Sequence, residues 1–369
     1  ESEETRSRKV KNLVLAAIEA SDDQVIGFDE YMKIVLYTPN LGYYDAGNQI
    51  FGEKGDFVTA ASSGQLFGKC VANEIETVLK SLQGEIFEFG AGNGNLAKVV
   101  FSTLKEKQMA SSISYRIIEP NKSLWAEQRM TIQDLEGKFF WHEDLPNSVF
   151  SGVLIANEVL DAMPAARYQV NNGFVDEIGV SYEGLNLIWK KKIGRVPDRL
   201  RHLLRDHESG YQTERILNLD IWFASIFESL EQAVLFVVDY GFPDEEFFRP
   251  DRRSGTLKCH FRHTVNTDPF VLPGLQDITT SVNYSELAQT ALDVGFSVLG
   301  YTTQERFLVN NGAERFFSES MSEDAVSRYL LAQEAKRLLL PTEMGYYVKV
   351  MAFGKNFEGS LSGFKNDEQ

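Results

Sequence analysis

"IFEFGAGNGNLAKVV", residues 86–100, is the stretch on which the fold turns. Its apolar start reads as a strand, Gly90, Gly92 and Gly94 as a loop, and the remainder as the opening of a helix. Glycines at alternate positions let the backbone turn tightly and approach a ligand where a side chain would collide. The spacing departs from the dinucleotide pattern G-x-G-x-x-G, because the third glycine comes one position early and Asn95 stands in its place.

Outward from this loop, short apolar runs alternate with helix-like stretches, the signature of βα units and a mostly parallel sheet. Strands are expected at "EIFEFG", "SYRIIE", "KFFWHE", "GVLIANEV" and "AVLFVVDYG", with helices at "NLAKVVFSTLKEKQ" and "KSLWAEQRMTI". An insertion, residues 166–231, begins as an alternating meander with turns at Asn172-Gly173 and Glu183-Gly184, and its second half reads as helical. After the fifth strand, residues 243–277 read as irregular. "YSELAQTALDVGF" is then a helix stopped by Gly295, and "SVLGYTTQ" and "YYVKVMAFGK" are two further strands, seven in the core altogether.

Upstream, "NLVLAAIEA" and "GFDEYMKIVLY" are amphipathic helices, the second opening on Asp29 and Glu30 and ended by Pro39. A Gly-, Asn- and aromatic-rich loop follows. The expected organisation is a helical and loop cap (1–80), a ligand-binding half (81–165), an inserted recognition region (166–231), a completion of the core (232–356) and a frayed tail (357–369).

The 369 residues carry 53 acidic against 37 basic side chains, a net charge of -16, so the mean surface repels nucleic acid and anionic lipid. Two distant cysteines and five histidines offer neither a disulfide framework nor metal-ligand spacing, and no metal is expected. No apolar stretch reaches the roughly 20 residues that span a bilayer. The start "ESEETRSRKVKNL" has no signal- or transit-peptide pattern, which favours a bacterial cytoplasm over a mitochondrial matrix.

Glu119 closes the second strand, where a carboxylate can accept from both ribose hydroxyls of an adenosine-containing ligand and disfavours a 2'-phosphate. Asp144, in "HEDLP", is either an acceptor for an adenine amino group or a turn former. A G-x-G-x-G loop followed by such an acid is also the pattern of S-adenosylmethionine methyltransferases. That ligand has no pyrophosphate, so close approach matters more than anion-binding donors. Asn157, Glu158 and Asp161 end the fourth strand at the ligand edge of the sheet. Glu158 and Asp161 can hold a guanidinium through charge-assisted hydrogen bonds if the chain turns helically there; alternatively Asn157 caps a helix and Asp161 is solvated. Asp239 and Tyr240 end the fifth strand, and His263 lies in a loop able to fold over the site.

Together, "TPNLGYY", "GEKGDFVT", "LFG", "EFGAGNGNLA", "IIEPNKSLWAEQ", "IANEVLDAMPAARY", "VVDYGFP", "SGTLKCHFRH", "GLQDITTSVNYSEL" and "VKVMAFGKN" resemble the MidA-like family, the mitochondrial complex I assembly methyltransferases and their bacterial relatives. The resemblance implies a class I Rossmann-like methyltransferase core and S-adenosylmethionine as donor. It also implies symmetric dimethylation of a protein arginine, in a complex I subunit by analogy with the mitochondrial members. It adds Gln128 to Gly90, Gly92, Gly94 and Glu119 on the donor side, and supports Asn157, Glu158, Asp161, Asp239, Tyr240 and His263 on the acceptor side. Asp56 and Thr59 are further candidates in "GDFVT", although the family's "T-S-P-E" is replaced here by Thr59, Ala60, Ala61 and Ser62. The alternatives are a donor-binding assembly chaperone without transfer and, less compatible with the glycine spacing, an NAD-dependent oxidoreductase. A homodimer through the exposed meander edge has no positive signal in the residues.

Overall fold

The computed structural model describes residues 2–45, 64–109, 113–262, 264–319 and 324–365. Its central sheet is built from β1 (Glu85–Phe89), β2 (Ser114–Ile118), β3 (Lys138–His142) and β4 (Phe150–Asn157), followed after the insertion by three more strands. The insertion contributes β5 (Ala165–Asn171), β6 (Phe174–Glu183), β7 (Asn186–Lys192) and β8 (Gln212–Ile216). Beyond it lie β9 (Leu230–Phe242), β10 (Lys258–Phe261), β11 (Thr264–Asn266), β12 (Asp277–Thr279), β13 (Val282–Asn283), β14 (Ser297–Thr303) and β15 (Val348–Lys355).

The sheet runs β14-β15-β9-β4-β1-β2-β3, with β13 pairing on the end of β9. All seven strands are parallel except β15, which is antiparallel to both its neighbours. The expected mostly parallel seven-stranded core is therefore present. Strand order reverses outward from β1 and β4, and that reversal opens a crevice at their carboxyl ends.

The central strands are apolar on both faces because helices cover both. Ile86, Ile155, Val234 and Phe236 join one core layer with helices Leu66–Ser81 and Asn95–Glu106. Phe87, Leu154, Leu235 and Val237 join the other with helices Leu219–Glu228 and Tyr284–Val294. Helix Tyr284–Val294 ends on Gly295, whose φ of 118° is the left-handed cap expected of that glycine.

Helices Glu3–Ala20 and Phe28–Tyr37 pack on the meander rather than on the central sheet. Val10, Val14, Phe28 and Met32 share a core with Val180, Leu187 and Ile278. A two-way backbone bridge between Ile26 and Val180 ties the segment down. This docking brings Tyr37 and Tyr44 over the crevice.

Three expectations need correction. The second half of the insertion is not all helical: "QTERI" forms β8, which pairs with β5 and completes a sheet of order β7-β6-β5-β8. The stretch after β9 is not irregular throughout, because β10, β11 and β12 form a three-stranded antiparallel sheet. Residues 356–365 do not fray. The Ser362 and Gly363 amides donate to the Glu74 carboxylate at 2.9 and 2.6 Å, and Phe364 packs on Phe236 and Phe307. The free edge of the meander, β7, carries Lys190, Lys191 and Lys192, a run of charge that discourages edge-to-edge pairing with a second chain.

Candidate active site

The glycine loop joins β1 to helix Asn95–Glu106 with positive φ at Gly90 (60°), Gly92 (54°) and Gly94 (83°). Substituents would be strained at all three. A Cβ on Gly94 would also lie 3.2 Å from the Gln128 Cα, and one on Gly90 would lie 3.3 Å from the Val159 Cγ2. The loop is held by hydrogen bonds from the Gly90 amide to Ile118 O (2.9 Å) and from Gln128 Nε2 to Gly92 O (3.0 Å).

Gln128 is fully buried on helix Trp125–Ile132 and ties the loop to Glu119, donating to Glu119 Oε2 at 3.2 Å and accepting from Trp141 Nε1 at 3.0 Å. The Asn121 amide donates to Glu119 Oε1 at 3.0 Å. Each Glu119 oxygen thus has one protein donor and room for another, which suits two ribose hydroxyls. Burial pushes the Glu119 carboxyl up to about 7. Below the loop, Glu88 is buried in β1, accepts from Tyr115 Oη at 2.7 Å, and is pushed up to about 7 by burial and by Glu119. Asp144 is exposed, two residues beyond β3.

At the end of β4 the chain makes a turn and no helix, so Asn157 does not cap one. Glu158 sits in the left-handed region at φ 52°, a conformation that costs about 1–2 kcal/mol for a residue with a Cβ. Its amide is held by Val238 O at 2.8 Å. Asp239, fully buried, accepts from the Leu160 and Asp161 amides through Oδ2 (2.9 and 3.2 Å) and from the Tyr240 amide through Oδ1 (2.8 Å). Asp239 therefore fixes the backbone that carries Glu158 and Asp161.

Tyr37, Tyr44 and Asp277 complete this corner. Tyr37 Oη donates to Ala162 O at 2.7 Å, Tyr44 Oη donates to Asp277 Oδ1 at 2.7 Å, and the two rings stack with centroids 5.5 Å apart. Asn121 Nδ2 donates to Tyr44 O, connecting the corner to the Glu119 loop. Burial, then Asp239, Glu158 and Asp277, push Asp161 well above the carboxylate range, and burial and Glu158 push Asp239 up to about 7. Among the described residues no basic side chain is a cause of either shift. Asn157 Oδ1 and Thr280 Oγ1 are buried with no hydrogen-bond partner among the described residues, and the Thr280 amide donates to Asp161 O at 2.8 Å. Among the described residues the corner is rich in hydrogen-bond acceptors.

The structure thus brings Gly90, Gly92, Gly94, Glu119 and Gln128 to one side of the crevice and Asn157, Glu158, Asp161, Asp239 and Tyr240 to the other. His263, Asp56 and Thr59 lie outside the described residues. Glu88, Tyr37, Tyr44 and Asp277 were not singled out from the sequence. Glu88 had a signal, an acid inside the apolar run "IFEF", whereas the others join the site only through tertiary packing.

These acids have a consequence for stability. Glu119, Asp161 and Asp239 hold their protons in the fold at pH values where the unfolded chain has released them. The ligand-free fold therefore binds the extra protons between about pH 4.5 and 7, and their stabilising contribution is lost as pH rises through 7. Thermal unfolding without ligand should give a higher Tm at pH 6 than at pH 8, and Asp161→Asn should reduce the difference. A Tm that rises toward pH 8 would contradict these environments.

The donor-side geometry fits an adenosyl group: a backbone cradle that a Cβ would fill and a buried carboxylate with acceptor capacity left. The chain matches a family model for S-adenosyl-L-methionine-dependent methyltransferases over residues 68–302. A crystal structure from Burkholderia thailandensis bound to S-adenosyl-homocysteine superposes with a TM-score of 0.92 at 33% identity, covering 98% of this chain and 96% of that one. Protein arginine methyltransferase NDUFAF7 homolog, mitochondrial, of Drosophila melanogaster is 25% identical, covering 90% of this chain and 82% of its own length. The human protein arginine methyltransferase NDUFAF7, mitochondrial, is 26% identical, covering 86% and 77%. The chain belongs to this family, the MidA-like S-adenosylmethionine-dependent methyltransferases.

Proposed function

We propose that the methyl acceptor is a guanidino nitrogen of an arginine in a protein, held by Glu158 and Asp161. The observation that carries this reading is the buried carboxylate corner, in which, among the described residues, Asp161 feels Asp239, Glu158 and Asp277, and Asp239 feels Glu158. Crowding several carboxylates into one buried corner is costly, and a guanidinium supplies a compensating charge together with a planar fork of donors. The stacked Tyr37 and Tyr44 rings offer a flat wall for such a plane. The relatives named protein arginine methyltransferases support the same acceptor.

Gly90, Gly92 and Gly94 would receive the donor by its backbone-facing side, Glu119 would take the ribose hydroxyls, and Gln128 keeps that carboxylate in place. When bound, S-adenosylmethionine supplies an electrophilic methyl group on a sulfonium. The carboxylates orient the guanidinium and localise its positive charge on the nitrogens they hold, so that the remaining nitrogen keeps a lone pair for in-line attack. Methylation releases one proton from the substituted nitrogen, and a carboxylate of the corner accepts it. Glu158 and Asp161 are the catalytic residues in this reading, with Asn157 as an acceptor beside them. Asp239 is a positioning residue.

By resemblance to the complex I assembly methyltransferases, the arginine belongs to a respiratory complex I subunit and the product is symmetric dimethylarginine. The higher identity to the Burkholderia chain than to the mitochondrial relatives favours a bacterial cell, with its cytoplasm as the compartment. Labelled S-adenosylmethionine with matched arginine and lysine peptides from complex I subunits tests the acceptor. Label should enter arginine peptides and not their lysine counterparts. Equal labelling, or labelling of lysine alone, would overturn the arginine reading.

A further inference from the structure

Tyr240 belongs to two environments. The nearby Glu158, Asp161 and Asp239 carboxylates help burial to raise its hydroxyl pKa, so it borders the carboxylate corner. It also lines a cavity of about 470 Å³ whose walls include Phe242, Arg252, Lys258, Glu343 and Tyr347. The cavity adjoins the proposed arginine site but has the opposite character.

Arg252 sets that character. Its guanidinium packs 3.9 Å from the centre of the Phe242 ring, and its Nη1 is buried with no hydrogen-bond partner among the described residues. Besides the Tyr211 phenol, two carboxylates influence it from nearby, Asp251 and Glu246, but both are engaged elsewhere. Asp251 accepts from Arg249 Nε and Nη2 at 3.0 and 2.8 Å, and Glu246 accepts from Tyr346 Oη at 2.8 Å. Arg252 is thus a partly desolvated cation without its own carboxylate, and burial lowers its pKa from the usual value. Lys258, exposed on β10, adds a second positive charge, and the exposed Glu343 is the acid among the lining residues that partly offsets them.

We propose that this cavity receives the side-chain carboxylate of an aspartate or glutamate near the target arginine, paired with Arg252 and assisted by Lys258. The inference rests on the arginine reading and adds a sequence preference to it. On a chain with a net charge of -16, an acidic substrate residue is repelled almost everywhere, so a local basic cavity beside an acidic one discriminates strongly between substrate orientations. The arginine enters the carboxylate corner, the acid enters the Arg252 cavity, and Tyr240 stands between them.

The test is methyl-transfer kinetics on arginine peptides in which a glutamate is moved through the positions flanking the target. At the best position, the glutamate peptide should show a kcat/KM about tenfold above its glutamine counterpart, mainly through KM, as expected for one charge-assisted pair. Arg252→Gln should erase that difference while methylating the glutamine peptide as well as the native chain does, and Arg252→Lys should retain part of it. Equal rates on glutamate and glutamine peptides at every position, or an equal loss on both in Arg252→Gln, overturns the proposal. A gain confined to a glutamine peptide that ends in a free carboxylate at that position overturns it in favour of a chain terminus. Failure of the native chain to methylate any arginine peptide while it methylates another acceptor overturns the arginine reading itself, and this inference with it.

Discussion

Glu158→Gln should bind S-adenosylmethionine as tightly as the native chain and lose methyl transfer by about 10²–10³-fold in kcat. The substitution keeps size and one acceptor oxygen but removes the charge that, in the proposed mechanism, localises the guanidinium cation. Asp161→Asn should act in the same direction. In the proposed arrangement the donor sits on the glycine loop and Glu119, on the far side of the crevice, so calorimetric donor affinity should stay within about threefold while the single-turnover rate collapses. A parallel loss of donor affinity would move Glu158 to the donor side. An unchanged rate would remove it from catalysis.

The second large effect is on the donor. Glu119→Ala removes the carboxylate that Asn121 and Gln128 hold at 3.0 and 3.2 Å, and should weaken donor binding by about 10–100-fold, the range for hydrogen bonds to a charged acceptor. Because this carboxyl is pushed up to about 7 in the ligand-free fold, native affinity should also fall as pH drops from 8 to 6 and the carboxyl gains a proton. Glu119→Gln keeps an acceptor for Asn121 and should show weakened binding without that pH dependence. Affinity that is insensitive both to Glu119→Ala and to pH would place the ribose elsewhere.

Much of this was readable from residues because buried parallel strands are written as apolar runs. "IFEFG", "YRIIE" and "LIANE" each end at the crevice on a glycine or an acid, so the strand and the ligand edge are legible together. The strands that were missed lack that signal. "QTERI" alternates weakly and becomes a strand because β5 offers it a partner, and β10–β12 are only three or four residues long. Glu158 and Asp161 stand at the strand end that position in the sequence indicates, but neither the helical turn that would align them nor a helix for Asn157 to cap is present. A left-handed Glu158 and the Asp239 carboxylate align that segment instead. Tyr37, Tyr44 and Asp277 were illegible as site residues because docking of the N-terminal helices on the meander, a contact between distant parts of the chain, carries the tyrosines over the crevice.

The most direct measurement is a crystal structure of the native chain with S-adenosyl-homocysteine and a peptide containing the target arginine. The account predicts the adenosine at the Gly90–Gly94 loop, both ribose hydroxyls on Glu119, and the guanidinium in the corner against Glu158 and Asp161 with one nitrogen facing the sulfur. A guanidinium bound away from those carboxylates, with the corner filled by some other group, would contradict it.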